Sequence, residues 1–274
     1  MILENPKLLG MWYDQYVSFF DDEQIIDPER MIEFAARNCY QSFSVVDETS
    51  HKRLIAKLDK SGHKTPKEFA RILIKFRTDR GVLAELTRHR HCGYCVESTR
   101  YVNSAKNGSC AFIIPVFVNS NCAGSYEIAT SFAHVDRILK DIHDKNGFDD
   151  ATMAWIEACA LSEYSYMKMG KKVDDGGLGL VPQESRSSLN MSTKTDIMFY
   201  TTFRQMELMS DLRMDSAAHP EIQRAFLSFM GLAMNKFQNS FVDFEEKYNE
   251  RKKHFDSKGW KTLDIQIEDF NYPK

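Results

Sequence analysis

The chain has 274 residues, of which 43% are hydrophobic and 27% are charged. This composition is typical of a globular protein with a sizeable core, and it excludes a disordered or fibrous chain. The net charge of −3 argues against a general nucleic-acid binder, because such proteins usually carry a strongly basic surface. The longest apolar run, residues 111–118, contains Pro115 and is too short to cross a bilayer.

The cysteine content and the first residues indicate the cellular compartment. Six cysteines are too sparse for a disulfide scaffold in a chain of this length. Glu4, Lys7 and Asp14 interrupt the apolar residues at the start of the sequence, so no secretory signal is predicted. We therefore expect a cytoplasmic protein with no membrane partner.

Two helix starts are predicted in the first part of the chain. Asp27 followed by Pro28 has the pattern of an N-cap and a first helical residue, and the helix should continue to about Asn38. Thr65 and Glu68 have the spacing of a capping box, with a proline directly after the threonine.

The next predicted elements are short. Residues 71–77 partly alternate between apolar and polar, which favours a strand and leaves a helix as the alternative. After Gly81, residues 82–90 are predicted to form a helix with arginines at its C-terminal end. Residues 112–118 are strand-like, but the proline among them limits them to an edge or an interrupted strand.

Long helices dominate the second half of the prediction. Residues 126–171 are expected to be helical, with a break near Gly147. A strand is predicted over residues 193–201 and leads into a helix, and the last long helix should run from about residue 216 through Phe237. Strands and helices that follow one another without regular alternation predict an α+β fold.

The most informative segment is basic. Three arginines and two histidines lie within residues 88–101, where Glu97 is the only acidic residue. Arginine binds phosphate oxygens bidentately, and Ser98 can add a neutral donor. Positive charge concentrated in an otherwise acidic chain predicts a small anionic ligand such as a nucleotide. For an arbitrary arginine-rich run, a solvated basic face would be the alternative.

The spacing within this segment resembles the signature of the flavin-dependent thymidylate synthases. That signature has Arg-His-Arg, then seven residues, then Ser-x-Arg-Tyr, and it is matched without a gap by Arg88, His89, Arg90, Ser98, Thr99, Arg100 and Tyr101. Residues 62–68 are similar to the family's Gly-His-x-Thr-Pro-x-Glu. Residues 212–222 are similar to its Leu-Arg-x-Asp…Ala-Gln-x-Glu-Ile element. The resemblance covers roughly residues 35–223.

The resemblance implies a fold and an activity. The fold would be α+β, a mostly antiparallel central sheet flanked by long helices, in a single domain over residues 1–274 with a helical insertion at about 121–172. The activity would be the reductive methylation of dUMP to dTMP with bound FAD, with methylenetetrahydrofolate as carbon donor and NADPH as reductant. Similar enzymes are homotetramers whose active sites combine residues from several subunits.

The resemblance also implies roles for individual residues. The cofactor-binding residues would be Thr65, Arg88, His89, Arg90 and Arg204. The substrate-binding residues would be Glu85, Arg88, Ser98, Thr99, Arg100, Arg186 and Arg213. Arg213 would act at the uracil ring, where a cation stabilises the ionised base, and His63 would lie near the flavin and the folate. No metal is implied.

Several residues of the expected site depart from the family pattern, namely Glu85, Gly93, Cys95, Val96, Asn190, Thr202, Leu208 and His219. They leave the phosphate-binding arginines intact and change the surroundings of the base and the flavin. Two alternatives therefore stay open, a related C5 modification such as hydroxymethylation of dCMP or dUMP, and a noncatalytic nucleotide-binding relative. Cys92 and Cys95 form one Cys-x-x-Cys pair, which is a weak zinc or redox signal because structural zinc requires four ligands.

Overall fold

The computed structural model describes residues 1–14, 16–17 and 25–266. The chain divides into two compact units, each described by itself below. The first unit consists of Met1–Lys7, Phe76–Leu86 and Val96–Ile197, and the second of Leu8–Lys75, Thr87–Cys95 and Met198–Lys274. The single-domain organisation stays a prediction.

Helices and short strands alternate irregularly along the described residues, so the predicted α+β class is confirmed. The strands are β1 (Ile2–Glu4), β2 (Lys7–Tyr13), β3 (Tyr16–Val17), β4 (Ile25–Ile26), β5 (Arg71–Asp79), β6 (Gly93–Val96), β7 (Ala111–Ile113), β8 (Gly124–Ser125), β9 (Lys194–Thr202) and β10 (Asp264–Ile265). The helices are α1 (Pro28–Tyr40), α2 (Ser50–Lys60), α3 (Arg80–Leu86), α4 (Ser104–Asn107), α5 (Phe132–Asn146), α6 (Asp150–Gly170), α7 (Pro182–Ser185), α8 (Phe203–Arg213), α9 (Pro220–Lys236) and α10 (Glu245–Ser257). Within the described ranges, no helix is both long enough and apolar enough to cross a membrane.

The first unit has a small mixed sheet beside a pair of helices. Strand β1 lies between β7, to which it is parallel, and β8, to which it is antiparallel, with Leu3 opposite Phe112 and Gly124. Leu3 and Phe112 are buried in one apolar cluster with Ile156 and Tyr166 of α6. Burial of this apolar surface stabilises the sheet, which on its own would be marginal.

The helix pair α5 and α6 has well-defined ends. Ser131 caps α5 by accepting a hydrogen bond from the backbone N–H of His134, and Gly147 ends it with a left-handed φ of 60°. Asp149 then caps α6 through the N–H of Thr152. The predicted break is thus confirmed, because glycine adopts the left-handed conformation at no steric cost. The helices begin only at Phe132, so residues 126–131 of the predicted helical stretch are not helical. That this stretch is an insertion stays a prediction.

A five-stranded sheet has the order β10-β2-β5-β9-β6. Its strand β5 buries alternate residues, among them Ile72 and Ile74, which confirms the strand and excludes the helical alternative. In the second unit, helices α8 and α9 pack against each other. Phe199 at the end of β9 contacts Phe229 of α9, with 5.7 Å between the ring centroids.

One predicted cap and several boundaries differ from the prediction, and α9 begins at Pro220 rather than near residue 216. The Thr65–Phe69 segment is a short 3-10 turn whose N-cap position is Lys64, not Thr65, and the Lys64 side chain makes no capping bond. Glu68 instead accepts a 2.7 Å hydrogen bond from the Thr202 hydroxyl, so a tertiary partner replaces the predicted capping box. Helix α3 ends at Leu86, short of the predicted residue 90, and β7 ends at Ile113, before Pro115. By contrast, the predicted Asp27 cap of α1 is confirmed.

We predict that Phe199→Ala destabilises the protein by about 3–5 kcal/mol, because a fully buried ring would leave a cavity between its aromatic neighbours. Denaturant unfolding measures the change. Phe117→Ala, at a 62% exposed position, is the control and should change stability by less than about 0.5 kcal/mol. Equal effects of the two substitutions would contradict this packing.

Candidate active site

The first part of the basic segment follows α3 and forms a turn in the second unit. Residues 87–92 connect the end of α3 to the start of β6. The Tyr94 hydroxyl donates a 2.9 Å hydrogen bond to the carbonyl of His89, which fastens the middle of the turn. As a result, His89 is half-buried, whereas Arg88 and Arg90 on either side of it are exposed.

The structure brings His89 into contact with Arg213, the last residue of α8. The Nε of Arg213 donates to the Nε2 of His89 over 2.8 Å. A histidine nitrogen accepts a hydrogen bond only when it carries no proton, so His89 is neutral with its proton on Nδ1. Burial lowers the pKa of His89, and the charges of Arg213 and Arg88 lower it further. His89, which is expected at the flavin, and Arg213, which is expected at the base, are therefore direct neighbours.

The beginning of α8 holds a third predicted cofactor arginine, Arg204. Thr202 caps the helix by accepting a 3.1 Å hydrogen bond from the N–H of Gln205. Arg204 follows in the first turn, where its Nη1 donates to Glu207 over 3.1 Å. The turn with Thr65 packs against this helix. His63 and Thr65 are both exposed.

Arg88 and Arg90 differ from the structural arginines of the same unit. Arg37 lies 2.8 Å from the carboxylate of Glu33, and the two side chains are buried together. No carboxylate of the described residues lies within salt-bridge distance of Arg88 or Arg90. Exposed guanidiniums without an acidic partner keep their donors available to phosphate oxygens.

The first unit contains the rest of the motif. The Ser98 hydroxyl accepts a hydrogen bond from the N–H of Arg100 over 3.2 Å, and its carbonyl accepts one from the N–H of Val102 over 2.9 Å. These bonds form a turn that exposes Arg100. Arg186 reaches the same turn, where its Nη1 donates to the hydroxyl of Thr99 over 3.3 Å. Two separate stretches, the turn at residues 98–102 and its predicted partner Arg186, thus meet within one unit.

Sequence reasoning missed Arg80, which lies beside this turn. A cavity of about 340 Å³ is lined by Arg80 and Thr99, among other residues of the first unit. Arg80 donates to the carbonyl of Glu97 over 3.0 Å. Burial lowers the pKa of Arg80 and the nearby charge of Arg186 adds to this, while Glu97 opposes it. The sequence offered no signal, because Arg80 belongs to no motif.

The predicted residues are divided between the two units. The second unit holds His63, Thr65, Arg88, His89, Arg90, Arg204 and Arg213, and the first holds Glu85, Ser98, Thr99, Arg100 and Arg186. Within these units, the structure joins His89 to Arg213 and Arg186 to Thr99. Glu85 is half-buried on α3.

Cys92 and Cys95 are both free thiols. The Sγ of Cys92 lies 3.4 Å from the Thr201 hydroxyl and 3.4 Å from the sulfur of Met209, so it faces the protein. Cys95 is exposed. The two side chains are thus in different surroundings, and neither a zinc site nor a dithiol pair is formed by these contacts.

The α+β fold thus carries exposed arginines, a neutral histidine that accepts a hydrogen bond from Arg213, and a cavity lined in part by Arg80. A family model described as thymidylate synthase complementing protein matches residues 23–237. The chain belongs to this family. The resemblance found in the sequence is thereby confirmed.

Named relatives agree with the family. A probable flavin-dependent thymidylate synthase of Mycobacterium phage D29 is 34% identical over 109 residues, which are 39% of this chain and 44% of the phage protein. The flavin-dependent thymidylate synthase of Haloarcula marismortui is 24% identical over 249 residues, which are 82% of this chain and 94% of the relative. The chain therefore spans less than half of the phage protein and nearly all of the archaeal one.

The fold is also similar to that of a solved structure. The crystal structure of the flavin-dependent thymidylate synthase ThyX from Helicobacter pylori, complexed with FAD and dUMP, has a TM-score of 0.56 and 18% sequence identity. The match covers 88% of this chain and 99% of that chain. At this identity the likeness shows a shared fold.

We predict that the burial of His89 beside Arg213 makes stability depend on pH. The folded state lowers the pKa of His89 below its ordinary value of 6.5, so the folded state binds fewer protons than the unfolded state as the pH falls through that value. Stability is therefore lost on acidification. His89→Gln retains an acceptor that does not titrate, so its free energy of unfolding should fall less steeply than that of the wild type between about pH 7.5 and about pH 5. Identical slopes would contradict a neutral His89.

Proposed function

We propose that the protein is a flavin-dependent thymidylate synthase that binds FAD and converts dUMP to dTMP. The observation that carries this proposal is the set of exposed, unpaired guanidiniums beside a neutral His89 held by Arg213, in a chain of this family. The Helicobacter pylori relative of the same fold was crystallised with FAD and dUMP, which supports the same two ligands here.

The second unit offers donors suited to FAD. The flavin cofactor carries a pyrophosphate, and the exposed Arg88 and Arg90 can bind its oxygens because no described carboxylate competes for them. We place Arg204 and Thr65 at the same cofactor, with the His89 ring beside them. When bound and reduced, the flavin would supply the hydride, and the carbon would come from methylenetetrahydrofolate; amino-acid side chains provide neither.

The first unit offers donors suited to the phosphate of dUMP. We place Ser98, Thr99, Arg100 and Arg186 there, where Arg186 and Thr99 already contact each other. Arg80 adds a further positive charge close to Arg186. Converging guanidiniums repel one another, and a phosphate between them would relieve that repulsion.

Arg213 is proposed to act at the base. Its guanidinium stays charged at any physiological pH, and a fixed cation stabilises the negative charge of an ionised uracil ring. The neutral His89 holds the Nε of Arg213 without adding a competing charge. Glu85 is proposed to lie on the nucleotide side, and His63 near the flavin and the folate.

The remaining assignments follow from the family resemblance. Methylenetetrahydrofolate is the proposed carbon donor and NADPH the proposed reductant. A homotetramer with shared active sites is supported by the exposure of Thr65, Arg88 and Arg90 on each chain, since residues from other subunits could complete the site. The six free cysteines support a reducing cytoplasmic environment.

We predict that the purified protein is yellow, with a flavin absorbance band, and that it forms dTMP from dUMP, methylenetetrahydrofolate and NADPH. Absorbance spectroscopy and product analysis check the two parts. A parallel assay with dCMP tests the base. A colourless protein without turnover would contradict the proposal, and turnover of dCMP alone would show a different C5 modification.

Arg186→Ala is predicted to weaken dUMP binding by about 10–100-fold, because a charge-assisted hydrogen bond contributes about 1.5–3 kcal/mol. FAD affinity should be unchanged, since the residue is placed at the substrate phosphate. Arg137→Ala, at an exposed position on α5, is the matched control. Titrations of FAD and dUMP measure both affinities, and a loss confined to FAD would show that Arg186 is misassigned.

A further inference from the structure

A buried ion cluster in the second unit lies directly behind two of the proposed flavin-binding residues. Lys67 and Glu207 are 2% and 1% exposed. The Nζ of Lys67 donates to Glu207 Oε1 over 2.5 Å and to Asp59 Oδ2 over 3.0 Å. It also donates to the carbonyl of Ser240. Every donor of this buried ammonium is thus satisfied.

The carboxylates of this cluster could be mistaken for a metal site. Oxygens of Asp59, Glu207 and Asp243 lie within 4.8 Å of one another. However, Lys64 donates to Asp59 over 2.8 Å and also to Asp243, and Lys67 contacts Glu207. The two ammonium groups already supply the positive charge that a metal ion would bring.

Glu207 uses its two oxygens for two different partners. Oε1 accepts from Lys67, and Oε2 accepts from the Nη1 of Arg204 over 3.1 Å. Burial raises the pKa of Glu207, and the charges of Lys67 and Lys64 oppose this. The lysines therefore favour the ionised carboxylate that Arg204 needs as its partner.

The turn that contains Lys67 also contains Thr65. This turn is joined to the start of α8 at two further points. Glu68 accepts from the Thr202 hydroxyl over 2.7 Å, and the carbonyl of Ala70 accepts from the N–H of Phe203 over 2.8 Å. The carboxylate of Glu207 is thus shared between the element that carries Arg204 and the turn that carries Thr65.

Stability alone does not require a buried charged cluster here. Apolar residues of similar volume often replace a buried ion pair at no loss of stability, whereas removal of one partner is costly. Charged groups do, however, fix the direction of a guanidinium, because the hydrogen bonds are directional. Removal of both charges together is therefore expected to weaken ligand binding if the cluster positions Arg204, and to affect stability alone if the cluster is purely structural.

We propose that Glu207 is a positioning residue of the flavin site. One of its oxygens fixes the guanidinium of Arg204, and the other binds Lys67 and so fixes the turn that contains Thr65. The inference rests on the proposed function, because that function places Arg204 and Thr65 at FAD. It predicts that loss of Glu207 weakens FAD binding and leaves the affinity for dUMP unchanged.

The test uses the full-length double variant Lys67→Met/Glu207→Leu, which removes both charges of the pair together. The matched control is Glu33→Leu/Arg37→Met, which removes a buried ion pair of α1 in the same unit. FAD dissociation constants, dUMP dissociation constants and urea midpoints are measured for both. We expect the Glu207 double variant to bind FAD about tenfold or more weakly, with the dUMP constant unchanged. The control should bind both ligands like the wild type.

Glu207→Gln provides a second measurement that does not depend on the folding of the double variant. The amide keeps an oxygen acceptor for Arg204 without the charge, so its FAD affinity should lie between those of the wild type and the double variant. Wild-type FAD affinity in either folded Glu207 variant would overturn the positioning role while leaving the proposed function intact. A wild-type protein that binds no FAD would overturn both.

Discussion

The site depends on the placement of positive charge without acidic partners. Arginines that hold the fold together are neutralised, as in the contact of Arg77 with Asp196 at 2.7 Å and in the buried pair of Arg37 with Glu33. Arg88 and Arg90 are exposed and have no such partner among the described residues. Unpaired guanidiniums cost little in water and gain strongly from a phosphate ligand, so this difference separates Arg88 and Arg90 from the structural arginines.

Helix α8 carries two of the predicted site residues of the second unit. It begins at the Thr202 cap, carries Arg204 in its first turn and ends at Arg213. The two arginines are nine residues apart in the sequence, which corresponds to about 14 Å along the helix axis. Arg204 is hydrogen-bonded to the buried Glu207, and Arg213 is hydrogen-bonded to the neutral His89. Arg204 and Arg213 are therefore fixed at opposite ends of the same helix.

The sequence predicted those structural features that depend on local residue patterns. The Asp27 cap, the break at Gly147 and the strand at residues 71–77 follow from short-range chemistry, and all three are present. The spaced motif identified the family because its arginines, Ser98 and their intervals form a specific pattern, and the family model agrees.

The sequence did not predict the features that depend on contacts between distant residues. The predicted capping box does not form, because Lys64 rather than Thr65 occupies the N-cap position and the Glu68 carboxylate accepts from Thr202, more than one hundred residues away. Lys67 and Glu207 carried no signal either, since charged residues are ordinarily exposed and their burial depends on each other. Arg80 gained its significance only from its position beside Arg186.

A comparison of two ligands tests most directly whether the guanidinium groups bind phosphate. Calorimetric titration of the wild-type protein with dUMP and with deoxyuridine measures the contribution of the phosphate alone. The account predicts that dUMP binds at least about a hundredfold more tightly, and that added salt reduces this advantage. Equal affinity for the nucleotide and the nucleoside would contradict it.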